Sequence, residues 1–226
     1  MGRGVLVTGG SRGIGASVAA AFHDLGDRVV ALSSADVDLA DPASVARAVE
    51  SSADALGTID VLVNNAGLVE YGSVFDKSYE EWQSLWRRTF DVNVFGAANM
   101  SYCVARHMVE RGVRGRIVNV GSRGAFRGEP GMPAYGASKA ALHSVGQSLA
   151  LVLAPHGIAV ATVAPGFVAT ERVADLVTDE VRRQSPFGRV AQPEEVAAAV
   201  VYLASPQAEW ASGTVLDLNG ASYLRT

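Results

Sequence analysis

The chain has 226 residues, a formal net charge of −4 and an apolar fraction of 49%, enough for one domain with a sizeable core. The acidic balance argues against a broad nucleic-acid-binding face, and the single cysteine, Cys103, excludes an internal disulfide framework. No apolar run is long enough to span a membrane and the first residues lack a signal-peptide core, so the expectation is a soluble, cytoplasmic protein.

In chain order, the first apolar run is GVLVTG at 4–9, which ends in glycines. An Ala-rich helix is expected from Ile14 to Leu25, stopped by Gly26 in the position after the helix end. A second strand run, RVVALS, covers 28–33. Asp41-Pro42 reads as an N-cap followed by proline in the first turn, opening a helix to about Leu56. DVLVNNAG at 60–67 is the next strand run, and Trp82, Leu85, Trp86 and Phe90 follow at helical spacing, as expected of core packing. GRIVNVGS at 115–122 precedes a helix over Tyr135–Leu153, and IAVATVAPG at 158–166 precedes a helix over Pro193–Ala204. GTVLDLNG at 213–220 closes the series. The strand runs are apolar on both faces, as parallel strands covered by helices are. Their alternation with helices predicts an α/β, doubly wound, mostly parallel sheet of six to seven strands in a single domain over 1–226.

Two local patterns carry chemistry. Gly9, Gly13 and Gly15 lie in the turn between the first strand and the first helix. Glycines so placed allow a tight turn, backbone approach to a pyrophosphate, and close packing of helix on strand. The phosphate would rest on the amides of the helix that starts near Ile14. Tyr135 and Lys139 stand one helical turn apart in AYGASK. Side chains at that spacing meet, and an ammonium beside a phenol favours the phenolate, which suits a proton-transfer group. A chance surface pair explains the same spacing when it is taken alone.

Taken together, TGGSRGIG at 8–15, NNAG at 64–67, Asn93 in FDVNVFG, Ser122 in IVNVGS, YGASK at 135–139 and PGFVAT at 165–170 make the chain resemble the short-chain dehydrogenase/reductase family over nearly its whole length. Within that family it is similar to 3-oxoacyl-carrier-protein reductases. The resemblance implies a Rossmann fold and an oxidoreductase that interconverts a ketone and a secondary alcohol. Ser122 would hold the substrate oxygen and Tyr135 would give or take the proton. Lys139 would tune the tyrosine and hold the nicotinamide ribose, and Asn93 would position a water that links the lysine to solvent. Cofactor contacts are implied for Gly9, Ser11, Arg12, Gly13, Ile14, Gly15, Asn65, Ala66 and Gly67 as well as Tyr135 and Lys139. Pro165, Gly166, Val168 and Thr170 would add contacts near the carboxamide and pyrophosphate. The alternatives on the same fold are a 3-oxoacyl-carrier-protein reductase specifically, a non-redox lyase or epimerase, and a nucleotide-sensing protein.

One region departs from the family pattern. Between Ser33 and DVDLAD at 36–41 only Ser34 and Ala35 remain, whereas a parallel crossover needs about a dozen residues. The third strand and its crossover helix are therefore expected to be shortened or absent, with Asp38 and Leu39 flanking the adenine. Cofactor choice turns on the end of the second strand. Ser33 and Ser34 are neutral there and Arg12 suits a phosphate, which favours NADP(H), while Asp36 lies near the offset of an NAD-type carboxylate and keeps NAD(H) as the alternative.

The substrate is expected to be a small carbonyl or alcohol compound, with Phe126, Arg127, Glu129 and Met132 in the wall and 171–187 as a short lid ordered by ligand. His156 stands where carrier-protein reductases tend to place a docking arginine. The four histidines show no metal-ligand spacing, so no metal is assigned. No nucleic-acid or membrane partner is expected, and the family resemblance implies a homotetramer or homodimer built on the helices near 95–111 and 135–153.

Overall fold

The computed structural model describes residues 2–225; Met1 and Thr226, the ends of the expected domain, lie outside them. Six strands form one sheet: β1 (Gly4–Thr8), β2 (Arg28–Leu32), β3 (Val61–Asn64), β4 (Arg116–Val120), β5 (Ala159–Pro165) and β6 (Val215–Leu218). Their order is β2-β1-β3-β4-β5-β6, and every neighbouring pair is parallel. All residues of β1, β3, β4 and β5 are buried, which is why these runs lack the alternation of a half-exposed strand.

Helices cover both faces. Against one face lie α1 (Gly13–Asp24) and, much later in the chain, α7 (Pro193–Leu203). Phe22 and Val18 of α1 pack there with Val196, Val200 and Leu203 of α7 over Val5, Val7 and Val163. Against the other lie α2 (Pro42–Leu56), α4 (Ala97–Glu110) and α5 (Pro133–Leu153), which bury Val45, Val49, Met100, Val104, Met108 and Leu153 over Leu6, Leu62, Ile117 and Val160.

The expected helix signals act as their chemistry requires. Gly26 takes φ 82° after α1, and its N–H and that of Asp27 donate to His23 and Phe22 carbonyls at 2.9 and 3.1 Å, closing the helix end. Asp41 Oδ1 accepts from Ala43 N at 2.9 Å ahead of Pro42. In the helix read from Tyr135, Pro133 supplies an earlier first turn.

Two expectations need correction or completion. In α3 (Tyr79–Phe90), capped reciprocally by Ser78 and Glu81, only Leu85 and Thr89 are buried. Trp82, Trp86 and Phe90 instead stack along the helix, with ring centroids 5.7 and 5.8 Å apart, and remain half-buried. The repeat at helical spacing was real, but the stripe lies on a rim, not in the core. The third strand of the family pattern is absent: after β2 the chain runs through 33–41 without a strand, and α2 carries it across to β3 on the far side of β1. Val37 and Leu39 turn inward from this short connection and are 6% and 9% exposed. Glycine at 96 makes room for Leu39, since a Cβ there would stand 2.8 Å from the Leu39 Cβ.

Phe22 is fully buried where α1 and α7 meet. Phe22→Ala should destabilise the fold by about 3–5 kcal/mol, read as a lowered midpoint in urea unfolding with an unchanged slope.

Candidate active site

In an open parallel sheet, ligands bind beyond the carboxyl ends of the strands where the strand order reverses. Here the chain leaves β1 toward β2 on one side and β3 on the other, and a cavity of about 650 Å³ opens at that edge. Thr8 and Asn65 tie the two strand ends together. Thr8 Oγ1 accepts from the N–H groups of Asn65 and Ala66 at 3.1 and 3.2 Å, and Asn65 Nδ2 donates to the Thr8 and Gly9 carbonyls at 2.9 Å each. The glycine turn is held by this clamp: Gly9 takes φ 65°, and a Cβ on Gly15 would run into the Gly9 carbonyl and Asn65 Nδ2.

Arg12 precedes α1 and makes no side-chain cap, so the first-turn amides of α1 face the cavity without an internal acceptor. That is the cradle an anionic pyrophosphate needs. With the glycine geometry, the residues present fit a dinucleotide.

The carboxyl-side half of the cavity is built on α5. Tyr135 lines it half-buried, and Lys139, one turn on, is 3% exposed. The Lys139 Nζ donates to the Val120 carbonyl at 2.9 Å and lies 5.7 Å from the Tyr135 ring centroid. A Cβ on Gly67 would come within 3.4 Å of that nitrogen and 3.5 Å of Asn93 Oδ1, so lysine, asparagine and loop share one small space. Ser122 follows β4, and its Oγ accepts from Gly124 N at 3.0 Å, a bond that leaves its own proton unused.

Every residue expected in catalysis or cofactor binding lines this cavity except Asn93. Asn93 lies behind it, 1% exposed, in a π-helical turn between α3 and α4. Its Oδ1 accepts from Leu68 N at 2.7 Å, while its Nδ2 donates to the Leu68 carbonyl at 2.9 Å and to Ser138 Oγ at 3.0 Å. The side chain thus fastens the loop after β3 to α5. Asn65 likewise spends its amide on the glycine turn.

The end of β2 is less neutral than its serines suggest. The Ser33 N–H and Oγ–H both donate to Asp36 Oδ2, at 2.8 and 2.7 Å. These bonds hold the Asp36 carboxyl below its usual range, so an ionised group stands beside Ser33. Arg12 is exposed at the wall of the same cavity.

Of the expected substrate wall, Glu129 and Met132 line the cavity, but Phe126 and Arg127 do not. The Phe126 ring lies between His143, with centroids 5.0 Å apart, and the Arg225 guanidinium at 4.3 Å, and Arg127 pairs with Glu129 at 3.7 Å. Sequence reasoning also missed His143, Arg123 and Phe167. His143 continues the Tyr135–Lys139 stripe by one more turn, a spacing that could have found it. Its Nε2 accepts from the Ser122 N–H at 3.4 Å, and Gly121 leaves the room it needs. Its Nδ1 is buried without a hydrogen-bond partner. Among the described residues no cluster of three or more His, Cys, Asp or Glu side chains is arranged to hold a metal ion, and no helix is long and apolar enough to cross a membrane.

The fold and cradle define a dinucleotide-binding α/β protein, and comparison with known proteins narrows the class. The family model for enoyl-(acyl carrier protein) reductase matches residues 31–220. The chain is 33% identical over 245 residues to a 3-oxoacyl-[acyl-carrier-protein] reductase of Vibrio cholerae, covering 99% of this chain and 98% of that one. It is 34% identical over 253 residues to an L-rhamnose 1-dehydrogenase (NAD(P)(+)) of a Sphingomonas species, covering 99% and 97%. The crystal structure of a 3-ketoacyl-(acyl-carrier-protein) reductase from Brucella melitensis complexed with NADH superposes with a TM-score of 0.90 at 30% identity, over 99% of each chain. Ligand-free aldohexose dehydrogenase from Thermoplasma acidophilum gives 0.90 at 32% identity, over 100% and 96%. The chain belongs to the short-chain dehydrogenase/reductase family. It is an NAD(P)-dependent oxidoreductase that interconverts ketone and alcohol.

Burial pushes His143 down to about 4, helped by Lys139 and Arg225 and opposed by Asp217. As pH falls below the ordinary histidine value of 6.5, the unfolded chain therefore takes up a proton that the folded chain refuses. The stability tied to the neutral imidazole is full above that value and is lost as pH falls toward 4, by on the order of 3 kcal/mol. His143→Gln should flatten this part of the stability profile, measured by urea unfolding at pH steps across the window.

Proposed function

We propose that Tyr135 is the acid/base of a ketone–alcohol interconversion, with Ser122 and Lys139 as its working partners. The observation that carries this reading is the placement of the Tyr135 ring and the Lys139 ammonium, 5.7 Å apart, on the wall shared with Ser122. When bound, the dinucleotide supplies or accepts a hydride at the reacting carbon. In reduction, Tyr135 donates its phenolic proton to the carbonyl oxygen; in oxidation, the phenolate takes the proton from the alcohol. The ammonium of Lys139 stabilises that phenolate. Ser122 donates its hydroxyl proton to the substrate oxygen and orients it. Asn93 sits beside Lys139 and is proposed to position the water through which the lysine is reprotonated. The α1 amides, with Gly9, Ser11, Gly13, Ile14 and Gly15, hold the pyrophosphate. Asp38 and Leu39 bracket the adenine, Ala66 and Gly67 border the ribose, and Pro165, Gly166, Val168 and Thr170 meet the carboxamide end.

For the cofactor we propose NADP(H), on the strength of the exposed Arg12, which lines the cavity together with the neutral Ser33 and Ser34. NAD(H) is the second reading, favoured by the ionised Asp36 at Ser33, which would repel a 2′-phosphate. Relatives of nearly equal identity act on carrier-bound acyl groups and on a sugar, which supports the reaction class rather than a carrier-protein substrate. A homotetramer or homodimer is proposed from the exposed Tyr102 and Phe95 near α4 and Leu151 and Val152 on α5. A cytoplasmic location is proposed from the single, unpaired Cys103.

Tyr135→Phe should lower kcat about 100-fold or more in steady-state assays of ketone reduction, while cofactor binding measured by fluorescence stays within about threefold of wild type. Unchanged kcat would refute the assignment. Arg12→Ser should lower kcat/KM for NADPH about tenfold or more, as expected for loss of a charge-assisted phosphate contact, with little change for NADH. Equal effects on both cofactors would favour the NAD(H) reading.

A further inference from the structure

Arg123 is a buried cation to which the reaction above gives no part. It follows Ser122 directly and is 3% exposed. Its Nη1 donates to Ser222 Oγ and its Nη2 to Gln184 Oε1, each at 2.5 Å, and its guanidinium lies 5.1 Å over the Phe167 ring. All three partners are uncharged. None of the ion pairs among the described residues includes it. Glu129 acts on it only through space and is itself paired with Arg127. A cation taken out of water without a counter-charge is costly, and a protein normally pairs it.

Its position says where a counter-charge would come from. A second cavity, of about 210 Å³, lies beside the large one. Arg123 and Phe167 are the two residues that line both, so together they form the partition. The neutral acceptors that occupy the guanidinium belong to separable segments: Gln184 ends the short helix α6 (Asp179–Arg183), and Ser222 lies in the C-terminal turn. Stacking on Phe167 holds the guanidinium plane in place, so little ordering remains when a ligand arrives.

We propose that Arg123 is the specificity residue for a carboxylate on the substrate, so that the reacting pair is an oxo acid and its hydroxy acid. This rests on the ketone–alcohol reading and deepens it. The carboxylate matches the guanidinium fork and replaces one or both neutral acceptors with charge-assisted bonds, roughly twice as strong. The reacting carbonyl lies on the Ser122 side of the partition and the carboxylate at Arg123.

The test uses straight-chain oxo acids that differ in the spacing of ketone and carboxylate, each beside its methyl ester, with cofactor consumption as the readout. Wild type should favour at least one acid over its ester by about tenfold or more in kcat/KM. Arg123→Gln should lower kcat/KM for that acid by about 10- to 100-fold, yet change the ester by less than about threefold, which also shows that the variant is folded. Arg123→Lys should keep part of the preference. Equal falls for acid and ester in Arg123→Gln, or a wild type that prefers every ester, would overturn the proposal and leave the oxidoreductase reading standing. If no ketone or alcohol reacts, that reading fails by itself. Calorimetric titration of pentanoate into the NADP⁺-loaded protein then decides the subsite: binding by wild type but not by Arg123→Gln supports it, and no binding sinks it.

Discussion

The cleft depends on how the ends of β1 and β3 are joined. Two parallel strands whose chain departs in opposite directions leave a gap at their carboxyl ends, and a gap lined by loose loops would cradle nothing. The hydrogen bonds between Thr8 and Asn65–Ala66, with the Asn65 amide on the Thr8 and Gly9 carbonyls, convert that gap into a fixed wall. They set the glycine turn, the turn aims the α1 amides, and the loop after Asn65 runs back to Asn93 through Leu68. Polar side chains here act on backbone groups first, and their effect on a ligand is through the shape they hold.

Across the cleft, α5 presents Tyr135, Lys139 and His143 on one stripe. The Val120 carbonyl accepts from the lysine ammonium at the strand end. The histidine remains neutral because it is buried beside that cation, and its lone pair receives the Ser122 N–H. A protonated imidazole at this place would lose the acceptor that steadies the serine and would add repulsion to Lys139. One helix face thus holds a phenol on the cavity wall, an amine bonded to a strand-end carbonyl and a neutral imidazole.

The missing third strand makes β2 an edge, with part of its surface exposed. The short 33–41 connection compensates by turning Val37 and Leu39 inward to seal the end of the core beside Gly96. It also brings Asp36 within bonding distance of Ser33. This short segment therefore reaches the cavity-facing end of β2 through a local turn.

What the sequence determined by itself was whatever depends on near neighbours in the chain. Apolar runs specify buried parallel strands, Gly26 and Asp41-Pro42 end and begin helices, and the glycine spacing and the Tyr135–Lys139 interval lie within one or two turns of backbone. With the family resemblance, these were enough to gather nearly the whole expected site on one cavity. Tertiary structure decided whatever joins distant segments. Whether Trp82, Trp86 and Phe90 are core or rim depends on which face α3 offers its neighbours. The buried state of Arg123 depends on Gln184 and Ser222, some 60 and 100 residues further along. The neutrality of His143 depends on its burial and, in part, on Arg225 at the far end of the chain, against the pull of Asp217. Periodicity reports one element at a time, whereas burial and electrostatic environment belong to the contact between elements and exist only once the chain has folded.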